Sequence, residues 1–314
     1  MIYSNREPAM MYMKKIRLTA FIAVCFFLLW HSYSYQHSNS NSSSLFDSNL
    51  RPNTTFTFPD ISFSIPRLGF AAQSLVSSAK KCDAPIDIPV ENFMSMFGED
   101  KKLMEWFGGI CGGKYLELGG FDGMQFSNSY VFNKALGWKG VLIELRDDVF
   151  AQMVTNRPDE IAVINAGVCD KPQTMHAVYA ENAAAGGIHE YAGLSLKSQW
   201  WNGINLENDP RVHTIECETL DNLLLMHAPE VTHFDFLSVD VIGSELAALR
   251  SINFERTHLG IIVVATDHHS AMEDMAIRQL LVTKGYSFIS AIEHNYWFAN
   301  VNFNDMYEHL IYNV

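Results

Sequence analysis

The sequence predicts an α/β fold: a mostly parallel, seven-stranded sheet with helices on both faces and an antiparallel hairpin at its carboxy-terminal edge. Three observations carry this. Short, continuous apolar runs recur from residue 114 onward, as expected of strands buried on both faces. Segments with helical patterning alternate with them. Glycines stand at the breaks, notably Gly119-Gly120, Gly137 and Gly285.

The elements follow in order. Lys114 to Leu118 is a short strand ending at Gly119-Gly120, and Phe126 to Leu136 reads as a helix stopped by Gly137. Gly140 to Glu144 is a second strand, followed by a helix from Asp147 to Thr155. Ile161 to Asn165 is the third strand. An irregular stretch precedes the fourth, Phe234 to Val239, and the fifth is Gly260 to Val264. A helix over Ala271 to Lys284 ends at Gly285, and 286–291 with 296–299 close the sheet as a hairpin.

Composition narrows the classes. The 314 residues are 48% hydrophobic but only 18% charged, so some apolar content belongs outside a globular core. A net charge of −13 argues against nucleic-acid binding, which needs a basic face. No CxxC pair has zinc-site spacing. Residues 1–17 hold Arg6, Lys14, Lys15 and Arg17 against Glu7, a net of +3, so the rest of the chain carries a net of −16.

That basic stub precedes an apolar run over 18–30, the pattern of a signal-anchor or a signal peptide. The residues after it lack a clear cleavage site, which favours a single-pass type II anchor in a secretory-pathway membrane, with the Golgi as the expected organelle; a cleaved signal would give a secreted protein. Residues 31–82 read as a Ser/Asn-rich stem with acceptor sequons at Asn41 and Asn53, and 83–314 as the globular domain. Cys25 lies in the apolar run. The remaining Cys82, Cys111, Cys169 and Cys217 allow two bridges, with Cys169–Cys217 as the first expectation because both sit at strands.

Ligands of open parallel sheets bind at the carboxyl ends of the strands. There the first strand carries Glu117-x-Gly119-Gly120 with Asp122 and Gly123, a turn that lets the backbone approach a ligand. Glu117 suits a cationic amine, directly or through water. Glu144, 21 residues after Gly123, suits a ribose diol, and Asn165-Ala166 a purine edge. A nucleoside with an amino-acid tail fits this ordered set, hence S-adenosylmethionine rather than NAD.

The same residues resemble the FkbM-type methyltransferases. The resemblance runs from about Gly113 to Phe298. It rests on Tyr115 to Gly123, Ser127-Asn128-Ser129, Leu136 to Glu144, Asn156-Arg157-Pro158, Asn165 to Cys169, Asp235 to Asp240 and Gly243-Ser244-Glu245-Leu246. It implies a Rossmann-like methyltransferase fold and methyl transfer from S-adenosylmethionine, commonly to a hydroxyl oxygen. It also adds Ser127 and Asn128 to the expected cofactor residues. Two positions depart from the family pattern: Ile242 replaces a Glu, and Ala265-Thr266 stands where an acid usually ends the fifth strand.

An alcohol needs a path for its proton, so Asp240 is the first candidate for that role, then His268 and His269. Asp240, Asp267 and His268 also have the composition of a divalent-metal site, by analogy with other O-methyltransferases, although no metal is expected. The long segment 181–213 contains Tyr191 and Trp200-Trp201, which suit a sugar ring. The expected function is an S-adenosylmethionine-dependent O-methyltransferase of the secretory pathway acting on a glycan or other hydroxyl-bearing acceptor. The alternative is a catalytically degenerate domain that binds or traffics cargo, favoured by Ile242 and Thr266.

Overall fold

The structure is a computed structural model describing residue 77 and residues 79–267 and 269–311. The stub, the apolar run, both sequons, nearly all of the stem and His268 lie outside the described residues. Among the described residues no helix is long and apolar enough to cross a membrane.

In chain order the elements are β1 (Lys80–Lys81), α1 (Glu99–Phe107), β2 (Ile110–Cys111), β3 (Lys114–Leu118), α2 (Tyr130–Leu136), β4 (Lys139–Glu144), α3 (Asp147–Asn156), β5 (Ala162–Asn165) and β6 (Gly167–Val168). Next come β7 (Gln173–Val178), β8 (Gly187–Ile188), α4 (Leu194–Trp200), β9 (Val212–Glu218), α5 (Leu220–His227), β10 (His233–Val239) and α6 (Glu245–Arg250). The chain closes with β11 (His258–Ala265), α7 (Ala271–Thr283), β12 (Tyr286–Ile292), β13 (Asn295–Asn300) and α8 (Phe303–Ile311).

The main sheet has seven strands in the order β12-β13-β11-β10-β3-β4-β5. From β5 to β11 neighbours are parallel, and β13 runs antiparallel to both β11 and β12. This is the expected sheet, hairpin included. Strand order reverses between β3 and β10, whose adjacent carboxyl ends open the crevice where α/β folds bind ligands.

The strands are apolar throughout because both faces are covered. Leu116, Leu118, Val141, Ile143, Leu237, Val239, Ile262 and Val264 fill one core beneath α5, α6 and α7. Tyr115 and Phe236 point the other way into an aromatic cluster with Phe107, Phe132, Trp138 and Tyr307. Helix α7 starts on a reciprocal cap, in which the Ser270 hydroxyl accepts from the Glu273 amide and the Glu273 carboxylate from the Ser270 amide.

Three differences from the sequence reading have physical causes. The helix expected from Phe126 begins only at Tyr130, because Glu117 captures the Ser127 hydroxyl, the Asn128 amide and the Ser129 hydroxyl and holds 127–129 as a loop. The stretch read as irregular contains a second sheet, β6-β9-β7-β8, and the helix α5. Its strands mix polar and apolar residues, since this sheet has a wetted face and needs no continuous apolar run. Finally, residue 77 and residues 79–82, placed in the stem, are held on the domain. β1 pairs with β2, Cys82 is bonded to Cys111, and the Ser77 hydroxyl donates to Asp235 Oδ1 at 2.6 Å.

The second bridge joins Cys169 to Cys217, as expected, and ties β9 to the residue after β6. The pairs close chain separations of 29 and 48 residues, so each stabilises by about 3–4 kcal/mol in the chain-entropy account. Reduction is expected to lower the denaturant midpoint, and Cys82→Ser with Cys111→Ser to reproduce part of that loss. An unchanged midpoint in reductant would contradict the pairing.

Candidate active site

One cleft of about 270 Å³ opens over the carboxyl ends of β3, β4, β5, β10 and β11. Its first half is built from Gly119, Phe121, Phe126, Glu144, Leu145, Ala166, Gly167 and Val168. Gly119 is dictated by close approach of two strand ends. It has φ +81°, and a Cβ there would sit 1.8 Å from the Asp240 carbonyl oxygen.

Glu144 ends β4 with its carboxylate in the cleft, accepting from the Phe121 and Arg146 amides, both at 2.9 Å. Burial pushes its carboxyl up to about 7, against the lowering effect of those amides. Lone pairs remain for two further donors, which is the geometry a ribose diol asks for.

Of the ten residues expected to hold the cofactor, Gly119, Asn128, Glu144 and Ala166 line the cleft. The other six stand behind it. Glu117 is fully occupied by residues 127–129; burial raises its carboxyl, and the nearby Arg157 opposes that rise. Asp122 accepts from the Met124 and Gln125 amides and shapes the turn. Asn165 spends its amide on the carbonyls of Glu144 and Leu145. Ser127 serves Glu117, while Gly120 and Gly123 pack against Met153.

The other half is acidic. Asp240, Glu99 and Asp267 line it, with Asn128, His294 and Asn295. Asp240 is wetted by the open cleft yet walled by protein. Loss of solvent, then repulsion from Glu245, Asp267, Glu99 and Glu117, pushes its carboxyl up to about 8. Glu99 accepts from Asn295 Nδ2 at 2.6 Å and from the Phe97 amide at 2.9 Å.

His269 faces elsewhere. Its ring nitrogens lie 3.1 Å from Glu245 Oε2 and 3.2 Å from Asp274 Oδ1. Burial disfavours its charge, but those two carboxylates raise the imidazole above its ordinary range. It fastens α7 to α6 and lies outside the cleft lining. Asp267 does line the cleft, with its Oδ1 2.7 Å from His294 Nδ1. Among the described residues no group of three or more His, Cys, Asp or Glu side chains could hold a metal ion.

A lid segment, Asn182 to Gly187, completes the wall with Leu196 and Trp200. Arg146 donates to the Ala180 carbonyl at 2.9 Å and Trp201 Nε1 to the Ala185 carbonyl at 2.8 Å, so the lid is fixed from both ends. Trp201 is buried in this packing, whereas Trp200 is exposed at the mouth. Ile242, at φ +40°, packs against this segment. Phe121, Phe126 and Glu293 share its left-handed backbone, so strained positions gather at the cleft.

The family model of the methyltransferase FkbM domain matches residues 117–288, more than half of the chain. The chain belongs to the FkbM methyltransferase family. The matched domain is one of S-adenosylmethionine-dependent methyltransferases, and the cleft over its strand ends offers a carboxylate, a small apolar strip and a cluster of acids.

Among solved structures, a methyltransferase FkbM from Methylobacillus flagellatus KT aligns at 11% identity over 60% of this chain and 43% of its own, with a TM-score of 0.35. This FkbM chain therefore spans less than half the length of that protein. A TehB-like SAM-dependent methyltransferase from Corynebacterium glutamicum ATCC 13032 Kitasato aligns at 10% identity over 65% and 86%, TM-score 0.33. The glycopeptide N-methyltransferase MtfA, complexed with sinefungin, aligns at 12% over 66% and 87%, TM-score 0.32. No curated protein matches.

The state of Glu144 gives a pH prediction. Its folded carboxyl titrates at about 7, above an unfolded glutamate, so between the two values the folded state holds an extra proton. Glu144's contribution to the stability of the cofactor-free protein is therefore expected to fall as pH rises toward 7, by at most about 1.4 kcal/mol per pH unit. Thermal melts across this window check it, and a Glu144→Gln variant with the same slope would contradict the assignment.

Proposed function

We propose that this FkbM methyltransferase is an O-methyltransferase of the secretory pathway whose acceptor is a hydroxyl of a glycan or glycoconjugate. The observation that carries the acceptor class is the mouth of the cleft. The exposed Trp200 lines both the main cleft and an adjoining hollow with Ala180, Glu181, Asn182 and Arg211. An open aromatic face ringed by polar side chains suits a sugar ring. Two disulfides within the described domain support an oxidising compartment, in keeping with the basic stub, apolar run and sequons of the sequence.

S-adenosylmethionine supplies an electrophilic methyl group on a sulfonium. The protein's part is to align an acceptor oxygen with it and give the hydroxyl proton somewhere to go. Glu144 and the Ala166–Val168 strip hold the nucleoside half, and the Asp240, Glu99 and Asp267 carboxylates favour neutral or cationic groups over anionic ones at the other half.

Incubating the full-length protein with methyl-labelled cofactor and a panel of neutral glycans tests the acceptor. Transfer to a sugar is expected, and no transfer to any of them would overturn the class. Trp200→Ala is expected to raise the acceptor KM about tenfold, a loss of about 1.4 kcal/mol. Endoglycosidase treatment of the expressed protein tests the compartment, and an unmodified Asn41 and Asn53 would count against it.

A further inference from the structure

The hairpin between β12 and β13 turns at the cleft, and the residue at its tip, His294, has no counterpart among the residues expected to do chemistry. Its placement is built from several sides. The preceding Glu293 takes a left-handed backbone at φ +49°. The His294 carbonyl accepts from the Thr266 amide at 2.8 Å and the Thr266 hydroxyl at 2.9 Å, strapping the turn to the end of β11. Its ring packs on Phe97 with centroids 4.6 Å apart, and the next residue, Asn295, is tied to Glu99. Nδ1 lies 2.7 Å from Asp267 Oδ1. The ring lines the cleft half-exposed, and its Nε2 makes no hydrogen bond among the described residues.

We propose that His294 is the general base of methyl transfer and that Asp267 is its positioning residue. The inference rests on the O-methyltransferase reading. With a carboxylate oxygen 2.7 Å from Nδ1, the tautomer protonated at Nδ1 is favoured, and Nε2 is then bare to accept a proton. The acceptor oxygen forms its bond to the methyl carbon as the carbon–sulfur bond breaks, the bonding pair staying on sulfur. The hydroxyl proton passes to Nε2 of His294, and the resulting imidazolium returns it to solvent through the open mouth. The other ionisable groups lining this end are Asp240 and Glu99. Glu99 is engaged by Asn295 and the Phe97 amide, and Asp240 stands among carboxylates that disfavour its ionisation. This gives Thr266 a use as well: the position where the family pattern has an acid instead anchors the histidine.

The test reads the dyad without turnover. Full-length protein labelled with ¹⁵N-histidine is observed by long-range ¹H–¹⁵N correlation in alkaline buffer, with His294 assigned by its disappearance in His294→Gln. The Nδ1–H tautomer is expected in the wild type and the Nε2–H tautomer in Asp267→Ala. An Nε2–H tautomer in the wild type, or no change in Asp267→Ala, would overturn the dyad. With the glycan that the acceptor screen identifies, His294→Gln is expected to lower kcat about a hundredfold or more while the acceptor KM and cofactor Kd stay within twofold. A wild-type kcat would overturn the base. If no glycan is methylated the acceptor reading fails, and the tautomer result still decides the dyad.

Discussion

Glu144→Ala will weaken S-adenosylhomocysteine binding at least a hundredfold in calorimetric titration. The carboxylate is the one charged acceptor in the nucleoside half whose lone pairs face the cleft, and each hydrogen bond to a charged group contributes about 1.5–3 kcal/mol. The substitution also strips the Phe121 and Arg146 amides of their acceptor, and Phe121 is itself held at φ +48°. The melting temperature of the variant must therefore be read beside its affinity. Glu144→Gln is not conservative here, because its amide nitrogen would face one of two N–H donors. It is expected to lose most of the affinity too. Binding within threefold of wild type in both variants would remove Glu144 from the cofactor site.

The second large effect falls on stability. Arg157 is 1% exposed, and its guanidinium donates to Glu160 Oε1, the Gly123 carbonyl, the Ser127 and Ser129 hydroxyls and the Tyr115 hydroxyl, at 2.6–3.2 Å. It is the buried cation that lies between Glu117 and Glu160. Arg157→Met leaves those acids uncompensated, which costs about 3–5 kcal/mol, a large part of the roughly 5–15 kcal/mol that holds a domain folded. Arg157→Lys is expected to recover little, since an ammonium with three donors cannot serve five acceptor residues. Chemical denaturation checks this. In a double-mutant cycle, adding Glu117→Gln should restore part of the loss, and strict additivity would show that the two groups do not interact.

These two residues also show what was legible in the sequence and what was not. Strand ends are local: Glu144 closes an apolar run, so its position at the cleft followed from the run and from the rule that parallel sheets bind ligands at their carboxyl ends. Arg157 stood in a recognised motif, yet nothing in Asn-Arg-Pro says that its side chain reaches back under the first loop. That contact joins residues about 30–40 positions apart and exists only once β3 and β4 are paired.

Glu117 failed for the complementary reason. A carboxylate at the end of the first strand reads as a ligand contact until Ser127, Asn128 and Ser129 are seen folded over it. His294 was hidden in a hairpin turn. The hairpin itself was readable, but that its tip reaches Asp267 depends on β12 lying parallel to β11 with β13 between them.

Asp235 gathers the opposite end of the sheet. Near the amino ends of the parallel strands its carboxylate accepts from the Ser77 hydroxyl, the Lys114 amide and the Tyr307 hydroxyl, with His233 beside it. The Cys82–Cys111 bridge secures the same entering segment. Tension applied through residue 77 is thus taken up at the amino ends of the strands, by a covalent bond and a buried carboxylate, before it can reach the loops at their carboxyl ends.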